Sequence, residues 1–240
     1  LEKSGDERHS QLTGAVSQLR RILYENTEEK ESGDRRKKET VIKEREGAMP
    51  DRLVSTVDPD ARHGRKSETK KFVGYKAQIL ENEKEFIVDI YDMLGNRHDS
   101  WGVVPMMENI STSGLAPHYI VGDKAYAQDP LGPSLWQRGM QMVTPLCSFG
   151  VSTQTSFYRH KVLFNRTTLY NRLMGVRSQI ERKNGQLKNQ LGLKRCRYRG
   201  LKKFGFQCLF AALAANIQRW ITLFLQAPPL LRLQMQSACR

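Results

Sequence analysis

The chain has 240 residues, a formal net charge of +14 and a sequence pI near 9.8. That length allows one domain of ordinary size with an appendage, and excludes both a peptide and a large multidomain assembly. The charge favours a phosphate-bearing partner, because each Lys or Arg that neutralises a phosphate releases condensed counterions; a basic domain with no such partner is the plainer alternative.

The first 50 residues hold eleven Asp or Glu and eleven Lys or Arg, so they cancel and the surplus belongs to residues 51–240. Leu12, Val16, Leu19 and Leu23 recur at helical spacing and predict a short amphipathic helix, the tail of an upstream helical unit. Between Glu25 and Glu39 almost nothing is apolar, so residues 25–50 read as a solvated helix or linker. The chain begins with Leu and shows no charged-then-apolar leader, so it reads as a piece of something longer without a secretion signal.

From residue 51 the pattern changes to short β-rich runs over 53–57, 71–80, 85–91, 119–121 and 141–144, with a helix over 103–110 and a turn at Leu94-Gly95-Asn96. The order β-β-β-α-β-α-β-α predicts an α/β fold: a mixed sheet covered by helices, its first three strands an antiparallel meander. The apolar stretch from Phe204 to Leu225 is broken by Gln207, Asn216, Gln218 and Arg219, so it is expected to be a buried helix and no membrane span. The four cysteines, Cys147, Cys196, Cys208 and Cys239, form no CxxC pair and no finger spacing with histidine, which predicts reduced thiols in a cytoplasmic protein and no zinc.

Three acids stand out. Asp58 lies in Val57-Asp58-Pro59-Asp60 after the first run, Asp123 in Gly122-Asp123-Lys124-Ala125-Tyr126 after the fourth, and Glu181 is the only acidic residue among eighteen Lys and Arg between Pro130 and Arg240. If the first and fourth strands are neighbours, Asp58 and Asp123 emerge together and a helix can bring in Glu181. Three carboxylates so close need cations between them, and two divalent ions about 4 Å apart would serve phosphoryl transfer. Each acid also has a plain reading: Asp58 and Asp60 as turn formers around Pro59, Asp123 as a cap, Glu181 as the partner of Arg177 in an exposed i,i+4 pair. Arg177, Glu181, Asn184 and Lys188 share one helical face opposite Ile180, Leu187 and Leu191, the pattern of a metal ligand flanked by phosphate clamps or of a solvated face beside a core stripe.

In these residues the sequence resembles DDE-type transposases of bacterial insertion sequences. The matching segments are Asp58-Pro59-Asp60-Ala61-Arg62, Gly74-Tyr75-Lys76-Ala77, Gly95-Asn96-Arg97-His98-Asp99-Ser100, Gly122-Asp123-Lys124-Ala125-Tyr126, the run from Leu191 to Gly200, and Leu213-Ala214-Ala215-Asn216. Many members carry a Tyr, Arg, Glu, Lys signature; Arg177, Glu181 and Lys188 fit its last three places, while Met174 stands where the tyrosine would be. The resemblance implies a ribonuclease H-like catalytic domain over residues 51–225, after a charged segment 1–50 and before a tail 226–240. It implies two Mg2+ ions, replaceable by Mn2+, held by Asp58 (or Asp60), Asp123 and Glu181. The implied partner is double-stranded DNA, cut at transposon ends and joined to target by a protein at the bacterial nucleoid that pairs as a homodimer.

Arg177 and Lys188 would hold phosphates near the cut, with Lys124 a further candidate, and His98 and Asp99 are either supports of the site or a plain turn. Lys194, Arg195, Arg197, Tyr198, Arg199, Lys202 and Lys203 read as a DNA-backbone contact with Tyr198 stacking on an unpaired base, or as a basic loop between two helices. Two other classes stay open: a DNA-binding remnant without chemistry, and another ribonuclease H-like nuclease.

Overall fold

The computed structural model of the chain describes residues 2–31, 40–45, 51–66, 69–127, 131–147 and 156–226. Its fold is mixed α/β and divides into two units. The first comprises residues 1–75 with 94–96 and 199–201; the second comprises 76–93, 97–198 and 202–240.

The first unit opens with helix α1 (Glu2–Asn26), longer than the leucine repeat alone predicts. Its repeat faces outward: Leu12, Val16, Leu19 and Leu23 are all exposed. What anchors α1 is polar. Glu25 is buried, takes the Arg21 Nε at 2.6 Å and accepts the Leu53 amide at 2.5 Å, fixing the helix end to the chain that follows. Strands β1 (Thr27–Glu31) and β2 (Thr40–Glu44) pair antiparallel, so the region expected as helix or linker carries a β ladder. A charged strand pair is consistent with the lack of apolar residues there, because the ladder is satisfied by backbone bonds alone.

Residues 53–57 form no strand. The first strand of the central sheet is β3 (Arg62–Arg65), which pairs antiparallel with β4 (Lys71–Glu81) in the register Arg62↔Gly74 and His63↔Val73. Asp58 therefore precedes a strand instead of ending one. The acid-proline-acid segment resists a continuous strand, since Pro59 removes a backbone donor and fixes φ. Sheet order is β3-β4-β5, with β5 (Ile87–Leu94) at the edge, so a three-stranded meander is present as expected, but residues 62–65 take the place of 53–57 as its first strand.

In the second unit α2 (Val103–Thr112), β6 (Tyr119–Val121), α3 (Leu131–Gln137) and β7 (Gln141–Val143) build a β-α-β step with β6 and β7 parallel. Val103, Met106, Met107 and Ile110 of α2 meet Ile120, Leu131, Leu135 and Met142 in one core. The hydrogen-bonded neighbour of β6 is β7, so the expected adjacency of the first and fourth strands is not found. Helices α4 (Ser156–Phe164), α5 (Thr168–Val176), α6 (Ser178–Asn189) and α7 (Leu201–Gln226) complete the fold. A second core joins Ile87 of β5, Leu187 of α6 and Ala211, Ala212 and Ala215 of α7.

Helix α7 corrects the expectation of burial. Phe204, Cys208, Ala211, Ala212 and Ala215 are buried, but Phe206, Phe210, Leu213, Ile217 and Trp220 are exposed. The polar residues that interrupt its apolar run hold it in place. Asn216 donates to the Ile87 carbonyl and accepts the Ile87 amide, each at 2.8 Å, completing the edge of β5 as a neighbouring strand would. Arg219 pairs with Glu85 at 3.0 Å and Gln218 accepts from Gln186 at 2.7 Å. By length and hydropathy α7 also meets the measure of a membrane span. Cys208 is a buried free thiol, while Cys239 and the expected tail beyond residue 226 lie outside the described residues.

Candidate active site

Asp58 and Asp60 sit in the first unit, where the chain turns before β3. The Asp58 Oδ1 accepts hydrogen bonds from the Tyr75 hydroxyl and from the Gly200 amide, the latter at 3.1 Å. The Asp60 Oδ2 accepts the Leu201 amide at 3.0 Å. Leu201 opens α7, so these carboxylates supply the acceptors and the negative charge that a helix N-terminus requires. Gly200 has φ +89°, a left-handed conformation that suits glycine, and the chain there turns its amide toward Asp58. Burial, then the bond to Asp58, raises the Tyr75 hydroxyl well above its ordinary range, so it stays a donor at any physiological pH.

Asp123 follows β6 and caps the short 3-10 helix Lys124–Tyr126, its Oδ1 accepting the Ala125 amide at 2.8 Å. The side chain is exposed, as is Lys124 beside it. Gly122 makes the approach possible, because a Cβ there would meet the Met142 Cε at 2.7 Å and the Tyr126 ring at 3.0 Å. Tyr126 takes a bond from the Gln78 Nε2 at 3.0 Å and has its hydroxyl raised to about 12, by burial first and then by the charges of Asp99 and Asp123. Asp99 in turn pairs with Lys76 at 2.9 Å, and His98 caps the turn that follows it. The charges of two carboxylates, Asp99 and Asp123, thus act on one half-buried phenol within the second unit.

Glu181 stands in the first turn of α6, exposed, with Arg177 Nη1 at 3.4 Å. Such a pair contributes about 0.3–0.5 kcal/mol, little enough to be given up to another partner. The helix beneath is held firmly. Lys183 is buried and lies 3.6 Å from Glu81 of β4, Arg182 meets Glu85 at 2.8 Å, and Leu187 is in the core. Lys188 ends the same helix, exposed. Met174 lies on α5, separated from α6 by Arg177 alone.

The basic loop between α6 and α7 exposes Lys194, Arg195, Arg197, Tyr198 and Arg199, and Lys202 and Lys203 continue it onto the first turn of α7. Gln207 braces it: the Arg197 amide donates to its Oε1, and its Nε2 donates to the carbonyls of Gly192 and Arg195, all at 3.0 Å. The cations therefore project from an ordered backbone.

Among the described residues no group of three or more His, Cys, Asp or Glu side chains is gathered closely enough to hold a metal ion. The carboxylate oxygens of Asp58, Asp123 and Glu181 are of the kind magnesium prefers. Four supports were not foreseen from sequence: Tyr75, Gly200, Lys183 and Gln207. Tyr75 and Gly200 carried a signal as members of segments that match the family, and Gln207 as a polar break in an apolar helix; Lys183 carried none.

A family model for the transposase DDE domain matches residues 25–217, most of the chain. The protein belongs to the DDE transposase family, whose members act on DNA and generally use divalent metal ions. No curated protein and no solved structure matches the chain.

Proposed function

We propose that this chain is a DDE transposase that cuts DNA at transposon ends and transfers the freed strand into target DNA, its catalytic domain ribonuclease H-like over residues 51–225. The observation that carries this reading is the family match over residues 25–217. Asp123 and Glu181, both exposed, are assigned as catalytic acids, with Asp58 as the third; both hydrogen bonds to Asp58 fall on Oδ1. Two Mg2+ ions, or Mn2+ in their place, would supply charge neutralisation and an activated oxygen there. The chain's own contribution is positioning: Arg177 and Lys188 flank Glu181 to hold phosphates, and Lys124 flanks Asp123. Lys194, Arg195, Arg197, Arg199, Lys202 and Lys203 hold the DNA backbone, with Tyr198 as a stacking ring. Preorganised charge of this kind provides most of the rate gain in phosphoryl transfer.

A second reading, a DNA-binding remnant without chemistry, draws support from the engagement of Asp58 and Asp60 with the start of α7. Nicking of supercoiled plasmid by the purified chain, with Mg2+ or Mn2+, separates the two, scored beside Glu181→Gln and Asp123→Asn with DNA retention in the same lanes. Metal-dependent nicking that disappears in both variants is expected. Equal retention with no nicking by the parent would leave the remnant.

A further inference from the structure

One face of β4 presents polar groups to two turns of the second unit. Lys76 and Gln78 are alternate residues of the strand, so their side chains leave the same face. The Lys76 Nζ donates to the Arg97 carbonyl at 2.8 Å and pairs with Asp99 at 2.9 Å, tying down the 3-10 turn Asp99–Gly102. The Gln78 Nε2 donates to the Tyr126 hydroxyl at 3.0 Å and ties down the turn that Asp123 caps. The two turns pack on one another.

Packing alone does not account for Gln78. Leu80, next along the same face, packs against the α2 core, and so does the Tyr126 ring. An apolar residue at 78 would extend that core. Gln78 instead buries its Oε1 without a hydrogen-bond partner, pressed on Gly102 where a Cβ would collide with it. A buried amide oxygen left unpaired is destabilising, so the Nε2 bond to Tyr126 is kept at a cost to the fold.

Tyr126 passes the constraint on to Asp123. Its ring lies back on Gly122, with Cδ2 at 3.0 Å and Cβ at 3.3 Å from where a Cβ would stand. Asp123 commits its Oδ1 to the Ala125 amide, so whatever orients the turn also orients the carboxylate. Burial, then the charges of Asp99 and Asp123, hold the Tyr126 hydroxyl at about 12, and the phenol stays neutral beside them.

We propose that Gln78 and Tyr126 are positioning residues of the phosphoryl-transfer site. The amide holds the phenol, the phenol holds Gly122, and the turn sets the Asp123 carboxylate where it can take a divalent ion. This inference rests on the reading of Asp123 as a catalytic acid. Partners that orient a metal-binding carboxylate typically change metal affinity or activity by about 10–100-fold when removed.

The test is Mn2+ binding by the full chain, read from the paramagnetic resonance of the free ion, beside plasmid nicking over a Mg2+ series. The parent is compared with Tyr126→Phe, Gln78→Met, the two combined, and Asp123→Asn. Tyr126→Phe keeps the ring and Gln78→Met keeps the side-chain length, so circular dichroism melting should match that of the parent. Each single variant is expected to raise the Mn2+ concentration at half-saturation, and the Mg2+ concentration at half-maximal nicking, by about 10-fold or more, with DNA retention unchanged. The combined variant should go no further than either, because both changes break one bond. If Tyr126→Phe melts early, Gln78→Met decides. Binding that weakens in Asp123→Asn but stays as in the parent in the other variants overturns this inference and leaves Asp123 as a ligand. Additive effects in the combined variant overturn it too, since they mark two separate packing losses. No Mn2+ binding by the parent, or binding unaltered in Asp123→Asn, overturns the reading of Asp123 and this inference with it.

Discussion

Asp60 accepts a backbone amide 141 residues further along the chain, and Asp58 a neighbouring one 142 residues on. Capping acceptors are ordinarily local, supplied by the residue just before the helix, but Gly200 has no side chain to offer. Asp60→Ala should therefore cost about 1 kcal/mol of stability, in the range of lost caps, and urea denaturation will read it. An unchanged midpoint would mean that water replaces the carboxylate. Sequence reading went part of the way here: the turn-forming character of Asp58-Pro59-Asp60 was legible, because it depends on neighbours alone. The destination of the two carboxylates was not, because no local pattern at Asp58 encodes an amide at Gly200.

Helices α6 and α7 show how an element can be right in sequence and wrong in orientation. The apolar stripe of α6 was legible in Leu187, but its burial also takes in Lys183, which hydropathy assigns to water. Its partner Glu81 is held above the ordinary carboxyl range: burial raises it most, Lys183 pulls it down and Glu85 pushes it up, with a net upward balance. A carboxyl raised in the folded state binds its proton more tightly there than in the unfolded chain. It therefore favours folding at acid pH, and that gain is lost as pH rises from the ordinary carboxyl value through the folded one. Lys183→Met removes the downward pull and leaves a buried carboxylate unpaired, so it should cost about 3–5 kcal/mol at neutral pH. The deficit should shrink as pH falls toward the carboxyl range of about 4 to 5. Urea midpoints at the two pH values check this; a deficit independent of pH would place its origin in packing and not in Glu81. In α7 the misreading has the opposite cause. Gln207, Asn216 and Arg219 are half-buried because each finds a backbone or side-chain partner, Gln218 pairs with Gln186 at the surface, and many of the apolar residues are left outside.

For the molecule as a whole, the charge distribution was the most readable property. Six cations from Lys194 to Lys203 sit on a loop braced by Gln207 and on the helix turn that follows it, so they can act together on a polyanion. Each phosphate they neutralise adds about 0.9 to the slope of log affinity against log salt for duplex DNA. Lys194→Ala/Arg195→Ala should lower that slope by about 2, measured by fluorescence anisotropy across a salt series. A slope that does not change would remove these two residues from the DNA contact. The order of strands and helices after residue 70 was also legible, since it rests on local periodicity. The pairing of β6 with β7 and the strands at Thr27–Glu31 and Thr40–Glu44 were not, since both depend on which segment is available as a neighbour.

The bonds from Gly200 and Leu201 to the Asp58-Pro59-Asp60 segment have a genetic consequence. A copy of the gene with a stop codon before position 200 would lose more than a helix and a tail. It would also strip two amides from the acids near the opposite end of the domain, so damage at the distal end of the reading frame reaches the proximal acids at once. Shortened copies of this kind are expected to be damaged at both ends of the domain, however much of the sequence between them is kept.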